Sequence, residues 1–393
     1  MEKYRLKDRV ERMALGKVNS FSPTISPAPK DVERREIESV GRALKYYYKR
    51  GVTEFVAQKK YMGSYCDIYL HSDIDQSYIV SRNGYLITHL NREDVIGGLA
   101  DLHHKFDWSE YKVILIQSEL MPWSTMGKGL IDNDFSGYLD AHRTHKDYLQ
   151  SSGLYDKLDK VKSSVAYRKF EAEYDPKSVK NLKKKYPSYV IRQYKAVHDL
   201  QVHDLEDYQK NIELYQRKID HYGNVEPLSF KPFNILKMIA KDDSEVLPND
   251  NHTYKFINDD AMLELSINSD AELEAAVDLA NGWLNQLTGE MEEGIMIKPR
   301  VAFIPNLPPA FKVRNNDYLT MIYGVDFIPD YDRYIKRRRI RRKIDCSIND
   351  WMQNWELLQI PLATIDSENY HYKNLICDRI LGEMETGKLD SRL

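Results

Sequence analysis

Apolar and polar positions change rhythm several times along this chain. Between residues 53 and 120, short apolar runs (TEFVAQK, YCDIYLH, QSYIVSRNGYLIT and YKVILIQSEL) are separated by turn signals, and runs of this length predict an antiparallel sheet. YIVS-RNG-YLIT reads as a hairpin turning at Asn83-Gly84, because Asn-Gly readily takes the left-handed backbone of a tight hairpin turn. From 135 to 223 the chain is charged, poor in glycine and helical in period. Leu205, Tyr208, Ile212, Tyr215, Ile219 and Tyr222 step by three and four, which places them on one helix face as packing residues. Residues 227–240 (PLSFKPFNILKMIA) return to mixed apolar packing, and 272–290 (ELEAAVDLANGWLNQLTGE) predict an amphipathic helix. Two candidate strands follow, EEGIMIKPRVAFI and AFKVRNNDYLTMIYG. The tail from 330 reads as helical, with Ile348, Trp351, Trp355 and Leu358 on one buried face. The expected organisation is α+β. Residues 1–35 form an extended entry segment, 36–134 and 224–329 a sheet-built core, 135–223 a helical insertion and 330–393 a helical C-terminal module.

Composition narrows the class. A chain of 393 residues with 42% hydrophobic content can bury one large core or two ordinary ones. The net charge of -3 excludes a generic polycation, so any nucleic-acid surface has to be a local patch. One such patch is written in the sequence: Lys336 to Lys343 reads KRRRIRRK, set against the ordinary reading of a solvated helix face. Cys66, Cys346 and Cys377 have no paired metal spacing. The charged start and the lack of a bilayer-length apolar run point to a cytoplasmic protein. His142 and His145 with Asp140 and Asp147 are read as a charged helix surface rather than a metal site, and His103-His104 likewise carries no site.

The chemistry begins at Lys60-Tyr61-Met62-Gly63. A lysine at a strand end, followed three residues later by glycine, suits a covalent nucleotide carrier whose amine attacks the α-phosphorus of ATP while the glycine permits a tight turn. Arg82, Glu119, Glu293, Lys298 and Lys312 follow, each in or beside a predicted strand. The attacking lysine must be neutral, against an ordinary value near 10.4, and neighbouring cations disfavour its second charge. Lys298, Lys312 and a metal ion are candidates for that role, and they would also offset charge on the phosphates. One carboxylate is needed for magnesium and one for ribose hydroxyls, which Glu293 and Glu119 fit. Gln58 lies on the Lys60 face of its strand, within reach of an adenine edge. Glu293 and Lys298 are five apart, so a regular strand would turn them to opposite faces. A bend at Gly294 would relieve this.

The ordered lysine, glutamate, glutamate and lysine are the signature of lysine-dependent nucleotidyltransferases. Together with SFSPTISP, ALKYYYKRGVTEFVAQKKYMGS, ELMPWS, LSFKPFNIL, LNQLTGEMEEGIMIKP, PPAFKVRNNDYLTMIYG and LDSRL, the sequence resembles the ligase module of bacterial RNA-repair polynucleotide kinase-phosphatases through nearly its whole length. The resemblance implies an antiparallel-sheet, ATP-grasp-like nucleotidyltransferase core with a helical insertion and a helical C-terminal module. It implies an ATP-dependent RNA ligase using Mg2+ or Mn2+, which moves AMP from Lys60 to a 5′-phosphate RNA end and seals it to a 3′-hydroxyl. By position, Lys60 accepts AMP, Gly63 closes its motif and Glu119 contacts ribose. Glu293 is the metal-linked carboxylate, Lys298 and Lys312 contact phosphates, and Arg82 touches the nucleotide or the RNA end. End-healing kinase-phosphatase and RNA 3′-end methyltransferase proteins are the implied partners. Two positions depart from the family: Lys59 replaces an acidic residue before the nucleophile, and Tyr65 replaces an arginine that bears on phosphate positioning.

Two other readings stand beside this one. A DNA ligase or capping guanylyltransferase normally adds a β-barrel after the catalytic core, whereas this tail is short and helical. A non-catalytic or partner-dependent RNA-end-binding subunit derived from a ligase is favoured by Tyr65 and opposed by Lys60, Glu119, Glu293 and Lys312.

Overall fold

The computed structural model describes residues 2–126, 130–175, 179–200, 202, 204–223, 226–255, 261–390 and 392–393. Its strands, in chain order, are β1 (Ser26–Pro27), β2 (Glu54–Lys60), β3 (Ser64–His71), β4 (Tyr78–Ser81), β5 (Tyr111–Met121), β6 (Ser229–Ala240), β7 (Glu245–Val246), β8 (Met262–Ser266), β9 (Gly294–Pro299) and β10 (Phe311–Arg314). They form two five-stranded sheets, ordered β1-β10-β9-β2-β8 and β4-β3-β5-β6-β7. All pairings are antiparallel except the short β1–β10 pair. The predicted α+β, antiparallel-sheet architecture is therefore present.

Alternation gives the first sheet two unlike faces. Phe55, Ala57, Ile295, Ile297, Phe311 and Val313 pack under the helices Val40–Tyr48 and Asp270–Gly289. The intervening positions, Gln58 and Lys60 on β2, Met296 and Lys298 on β9 and Lys312 on β10, line a pocket on the other side. In the second sheet, Tyr65, Gln117 and Glu119 face that pocket. The same face continues through Tyr69 and Leu115 into a core shared with Trp351, Leu357 and Tyr372. Cys66, Ile68, Ile114 and Ile116 bury the opposite face against Val95, Leu99 and Leu102.

β5 and β6 are neighbours in the sheet, and the described helices between them run from Ser136–Ser151 to Leu205–Gly223. The stripe read from sequence lies on the packed face except at its first residue, Leu205, which is half-buried. Tyr208, Ile212, Tyr215, Ile219 and Tyr222 are buried, joined by Met62, Leu139, Tyr318 and Met321. In the tail, Trp351 and Leu358 are buried and Trp355 packs against them. No helix of the described residues is long and apolar enough to cross a membrane.

Four local expectations change. Residues 1–35 are not extended throughout: Glu2–Leu15 is a helix, whose Val10, Met13 and Ala14 stripe packs into the core beneath the C-terminal helices. Arg92–His103 forms a helix inside the stretch read as sheet, capped by the Asn91 side chain on Glu93 N at 2.8 Å. Its Gly98 approaches Leu228 so closely that a β-carbon would lie 2.9 Å from the Leu228 side chain. The second half of AFKVRNNDYLTMIYG is also a helix, Asn316–Tyr323, started by the Asn315 side chain accepting from Tyr318 N at 2.8 Å. The hairpin turn moves back one residue, from Asn83-Gly84 to Arg82-Asn83, and the return arm is reduced to the single Val80–Leu86 bridge. Tyr85 and Leu86 are exposed and gain no burial that would extend the pairing.

Candidate active site

Lys60 ends β2 where the chain must double back into β3, and Gly63 makes this possible. A β-carbon at Gly63 would stand 2.7 Å from Met121 Sδ, 2.8 Å from the Leu120 carbonyl oxygen and 3.1 Å from Glu119 Cβ. The glycine thus serves backbone approach between the β2–β3 turn and the end of β5, which brings Lys60 and Glu119 into one pocket.

Glu293 reaches that pocket's edge from the third element. The helix Asp270–Gly289 ends in a Schellman motif, with Met291 N bonded to Thr288 O at 3.1 Å and Glu292 N to Leu287 O at 2.9 Å. Met291 occupies the left-handed position at φ 67°, where glycine is the usual residue. Three consecutive carbonyls after this turn are held. That of Met291 accepts from Lys218 Nζ at 3.0 Å and Tyr222 hydroxyl at 2.9 Å. Those of Glu292 and Glu293 accept from Asn315 Nδ2 at 2.7 Å and Asn315 N at 3.1 Å. Lys218 and Tyr222 belong to the helical insertion, which also buries Met62 beside the Lys60 turn. The insertion therefore braces both sides of the pocket's key pair.

Gly294 resolves the facing problem posed by Glu293 and Lys298. Its φ is +153°, and a β-carbon there would lie 2.1 Å from the Val313 carbonyl oxygen. The row Lys60–Gly294–Arg314 across the sheet has no side chain at its centre. Glu293, just outside the strand, swings to Lys60 and accepts from its Nζ at 2.7 Å. Lys298, four residues after Gly294, remains on the pocket face. Lys59 takes a separate partner, Glu292, at 2.6 Å.

The pocket is rich in uncompensated positive charge. Arg82, Lys298, Lys312 and Lys343 all line it, and among the described residues none of them makes an ion pair with a carboxylate. Lys298 is buried with its Nζ over the Phe233 ring, 4.8 Å from the centroid, and burial pushes its ammonium down to about 7. Lys312 is also driven well below the ordinary lysine value by burial and by the neighbouring Arg314. Opposite them, burial and the Glu293 carboxylate raise Glu119 to about 7, against the pull of Lys60 and Arg82. Glu119 Oε2 is buried without a hydrogen-bond partner.

The turn centres on Arg82-Asn83, closed by Gly84 N donating to Ser81 O at 2.9 Å. This places Arg82 at a corner of the pocket. Tyr65, the departure from the family arginine, joins a buried polar chain. Asn234 Nδ2 donates to Gln117 Oε1 at 3.2 Å, Gln117 Nε2 to the Tyr65 hydroxyl at 2.8 Å and that hydroxyl to Asp67 Oδ1 at 2.7 Å. Gln58 spans the sheets, its Nε2 donating to the Phe233 carbonyl at 3.4 Å. Every predicted site residue is thus in the pocket or, like Glu293 and Gly63, directly against it. Sequence reasoning missed Gln117 and Asn234, whose alternation within β5 and β6 was the available signal. It also read Lys343 only as part of a basic run.

The basic run itself divides. Lys336, Arg337, Arg339, Arg341 and Arg342 are exposed, but Arg338 is buried against Glu38 and Lys343 turns into the pocket. His142 and His145 both meet the Tyr208 hydroxyl through Nδ1, at 2.6 and 3.2 Å. No cluster of three potential metal ligands occurs among the described residues.

Two sheets converging on a lysine–glutamate pair, beside unmatched cations, form the frame of a nucleotidyltransferase. The chain belongs to the PNKP adenylyltransferase domain, ligase domain family, whose model matches residues 16–369. A chain of the solved Pnkp1/Rnl/Hen1 RNA repair complex is 49% identical to it, with 100% of both chains covered and a TM-score of 0.94. A second solved Pnkp1/Rnl/Hen1 complex contains a chain 48% identical, again with 100% of both covered, at a TM-score of 0.90. No curated protein matches the chain.

Proposed function

We propose that this protein is an ATP-dependent RNA ligase of the repair type that carries AMP on Lys60. The observation that carries the reading is the Lys60–Glu293 contact at 2.7 Å, set beside a pocket whose cations lack carboxylate partners. A triphosphate supplies the missing negative charge. The neutral Lys60 amine attacks the α-phosphorus, a nitrogen–phosphorus bond forms, and the bond to the departing pyrophosphate breaks. Lys298 and Lys312 hold the phosphate oxygens and offset their growing charge. Glu119 faces the ribose hydroxyls, and the Gln117–Asn234 amides with Gln58 face the base. A 5′-phosphate oxygen on RNA then attacks the same phosphorus and releases Lys60. The 3′-hydroxyl of the second strand displaces AMP.

The residues present suit a divalent cation such as magnesium or manganese. Glu293, at the pocket edge beside Lys60, supplies one carboxylate, within the usual protein share when substrate phosphates complete the shell, and the unpartnered Glu119 Oε2 stays free for the ribose hydroxyls. Such an ion would neutralise phosphate charge. Glu293 now holds the Lys60 ammonium, so the lone pair becomes available only after proton loss and a change of partner at Glu293.

RNA with 5′-phosphate and 3′-hydroxyl ends is the proposed substrate. Kinase-phosphatase and 3′-end methyltransferase partners are proposed because the solved relatives sit in Pnkp1/Rnl/Hen1 complexes. Tyr65 supports one second reading, a partner-dependent ligase, because its hydroxyl is committed to Asp67 where the family presents a cation. The test is incubation with α-labelled ATP and magnesium beside Lys60→Ala. Label on the wild type, absent from the variant and discharged by pyrophosphate, is expected. No label from ATP or GTP would overturn catalysis by the isolated chain.

A further inference from the structure

Lys343 lies in the first turn of the helix Arg341–Gln359, which has no acidic residue in that turn and no side-chain cap. A cation there opposes the helix dipole, whose positive end favours anions. Lys343 is nevertheless 9% exposed and lines the pocket together with Arg82. Arg82 and Arg314 repel it electrostatically. Of the nearby acids, Glu38 is committed to Arg314 and Arg338 and Asp390 to Arg392 at 2.8 Å, while Glu119 attracts Arg82 without forming an ion pair with it. Among the described residues no side chain pairs with Lys343 or with Arg82. Lys343 is therefore a buried cation at an uncapped helix start, facing the pocket with no ion pair and with the exposed Arg82 beside it; an anion from outside would match it.

We propose that Lys343 of the C-terminal module and Arg82 of the hairpin turn form a phosphate subsite at the pocket rim, additional to Lys298 and Lys312. The shared chemistry is a phosphate group, from the β,γ end of ATP or from the 5′ end of the strand to be sealed. Only the choice between these sources rests on the ligase reading. Five exposed basic residues, Lys336, Arg337, Arg339, Arg341 and Arg342, precede Lys343 in the chain and add positive charge that would favour either phosphate-bearing ligand.

The test compares wild type, Lys343→Gln and Lys343→Arg, first by equilibrium binding of sodium tripolyphosphate and of a short RNA with a 5′-phosphate or a 5′-hydroxyl. Removing an unpaired buried charge should leave the Lys343→Gln melting temperature unchanged or higher, and Lys343→Arg retains the charge. In Lys343→Gln, about a tenfold loss of tripolyphosphate affinity, ~1.4 kcal/mol, with a matching rise in the ATP KM for self-labelling, assigns the subsite to the nucleotide. Unchanged tripolyphosphate binding, with about a tenfold loss of preference for the 5′-phosphate end, assigns it to the strand. In both cases Lys343→Arg should bind like wild type. Lys343→Gln equal to wild type in both assays overturns the subsite. If wild type takes no label, the ligase reading fails separately, and the two binding assays still decide the subsite.

Discussion

Lys312 and Arg314 leave the same face of β10, two residues apart, yet their surroundings are opposite. Arg314 is buried against Glu38, whose carboxylate also receives its backbone N–H at 2.8 Å and binds Arg338. Burial opposes charge on Glu38, but Arg314 and Arg338 hold it below the ordinary carboxylate value. Other buried cations are matched in the same way, Arg379 with Asp350 at 3.1 Å and Lys237 with Glu245 at 2.7 Å. Lys312 and the neighbouring Lys298 have no such carboxylate. Arg314, Arg338, Arg379 and Lys237 are neutralised where they hold modules together, whereas Lys298 and Lys312 face the pocket without an ion pair, unlike Lys60, which has Glu293. The unmatched set is costly to the empty protein, because buried charge is stabilised mainly by a partner.

The strongest way to break this contrast is Glu38→Ala. It strands Arg314 and Arg338 in a buried site and should lower stability by about 3–5 kcal/mol, read from urea unfolding. A loss under about 1 kcal/mol would show that the cluster is solvated and that the comparison with the pocket is empty.

Lys312→Met tests the other side. It should leave the urea midpoint unchanged or higher while slowing single-turnover self-labelling by about a hundredfold or more, the range for removing one transition-state donor. A destabilised variant with normal labelling would make Lys312 structural and remove it from the site.

Much of this site was legible because alternation is simple to read. In GIMIKP and FKVR the apolar residues mark one face of a sheet and the lysines the other, and the pocket follows from that period. Other elements were hidden by weak or displaced signals. Gly97-Gly98 depresses helix propensity within Arg92–His103, and only the packing of Gly98 on Leu228 explains the residue. The stripe Leu6, Val10 and Met13 was masked by the charges around it. Lys343 looked like one of seven basic residues, because which of them turns inward depends on where Glu38 and the pocket sit. That placement is tertiary and leaves no periodic trace. The bracing of Met291 by Lys218 and Tyr222 is equally non-local, since Tyr222 read as a helix-packing position without indicating what its hydroxyl would hold, and Lys218 was not singled out at all.

The smallest effect gives the sharpest view of the unmatched charge, because it needs no catalysis. Lys298 titrates near 7 in the folded protein, against an ordinary value of 10.5, through burial. Below pH 7 both folded and unfolded chains carry its proton, so its destabilising cost is fully present there but does not vary with pH. Between about 7 and 10.5 the unfolded chain holds a proton that the folded one has lost, so stability rises with pH. The slope approaches about 1.4 kcal/mol per pH unit, giving roughly 2–3 kcal/mol between pH 7 and pH 9. Glu119, raised to about 7, acts in the opposite direction and lower down: its contribution to stability is lost as pH climbs from 4.5 towards 7. Lys312 shifts in the same direction as Lys298, so the informative quantity is the difference between wild type and Lys298→Met. Urea unfolding at pH 7 and pH 9 should show the larger rise in wild type. Saturating tripolyphosphate should shrink that rise by holding Lys298 charged, and should itself bind more weakly at pH 9. Equal rises in the two proteins would mean that Lys298 already has its counter-charge within the fold, and the division between matched and unmatched cations would then fail at its most buried member.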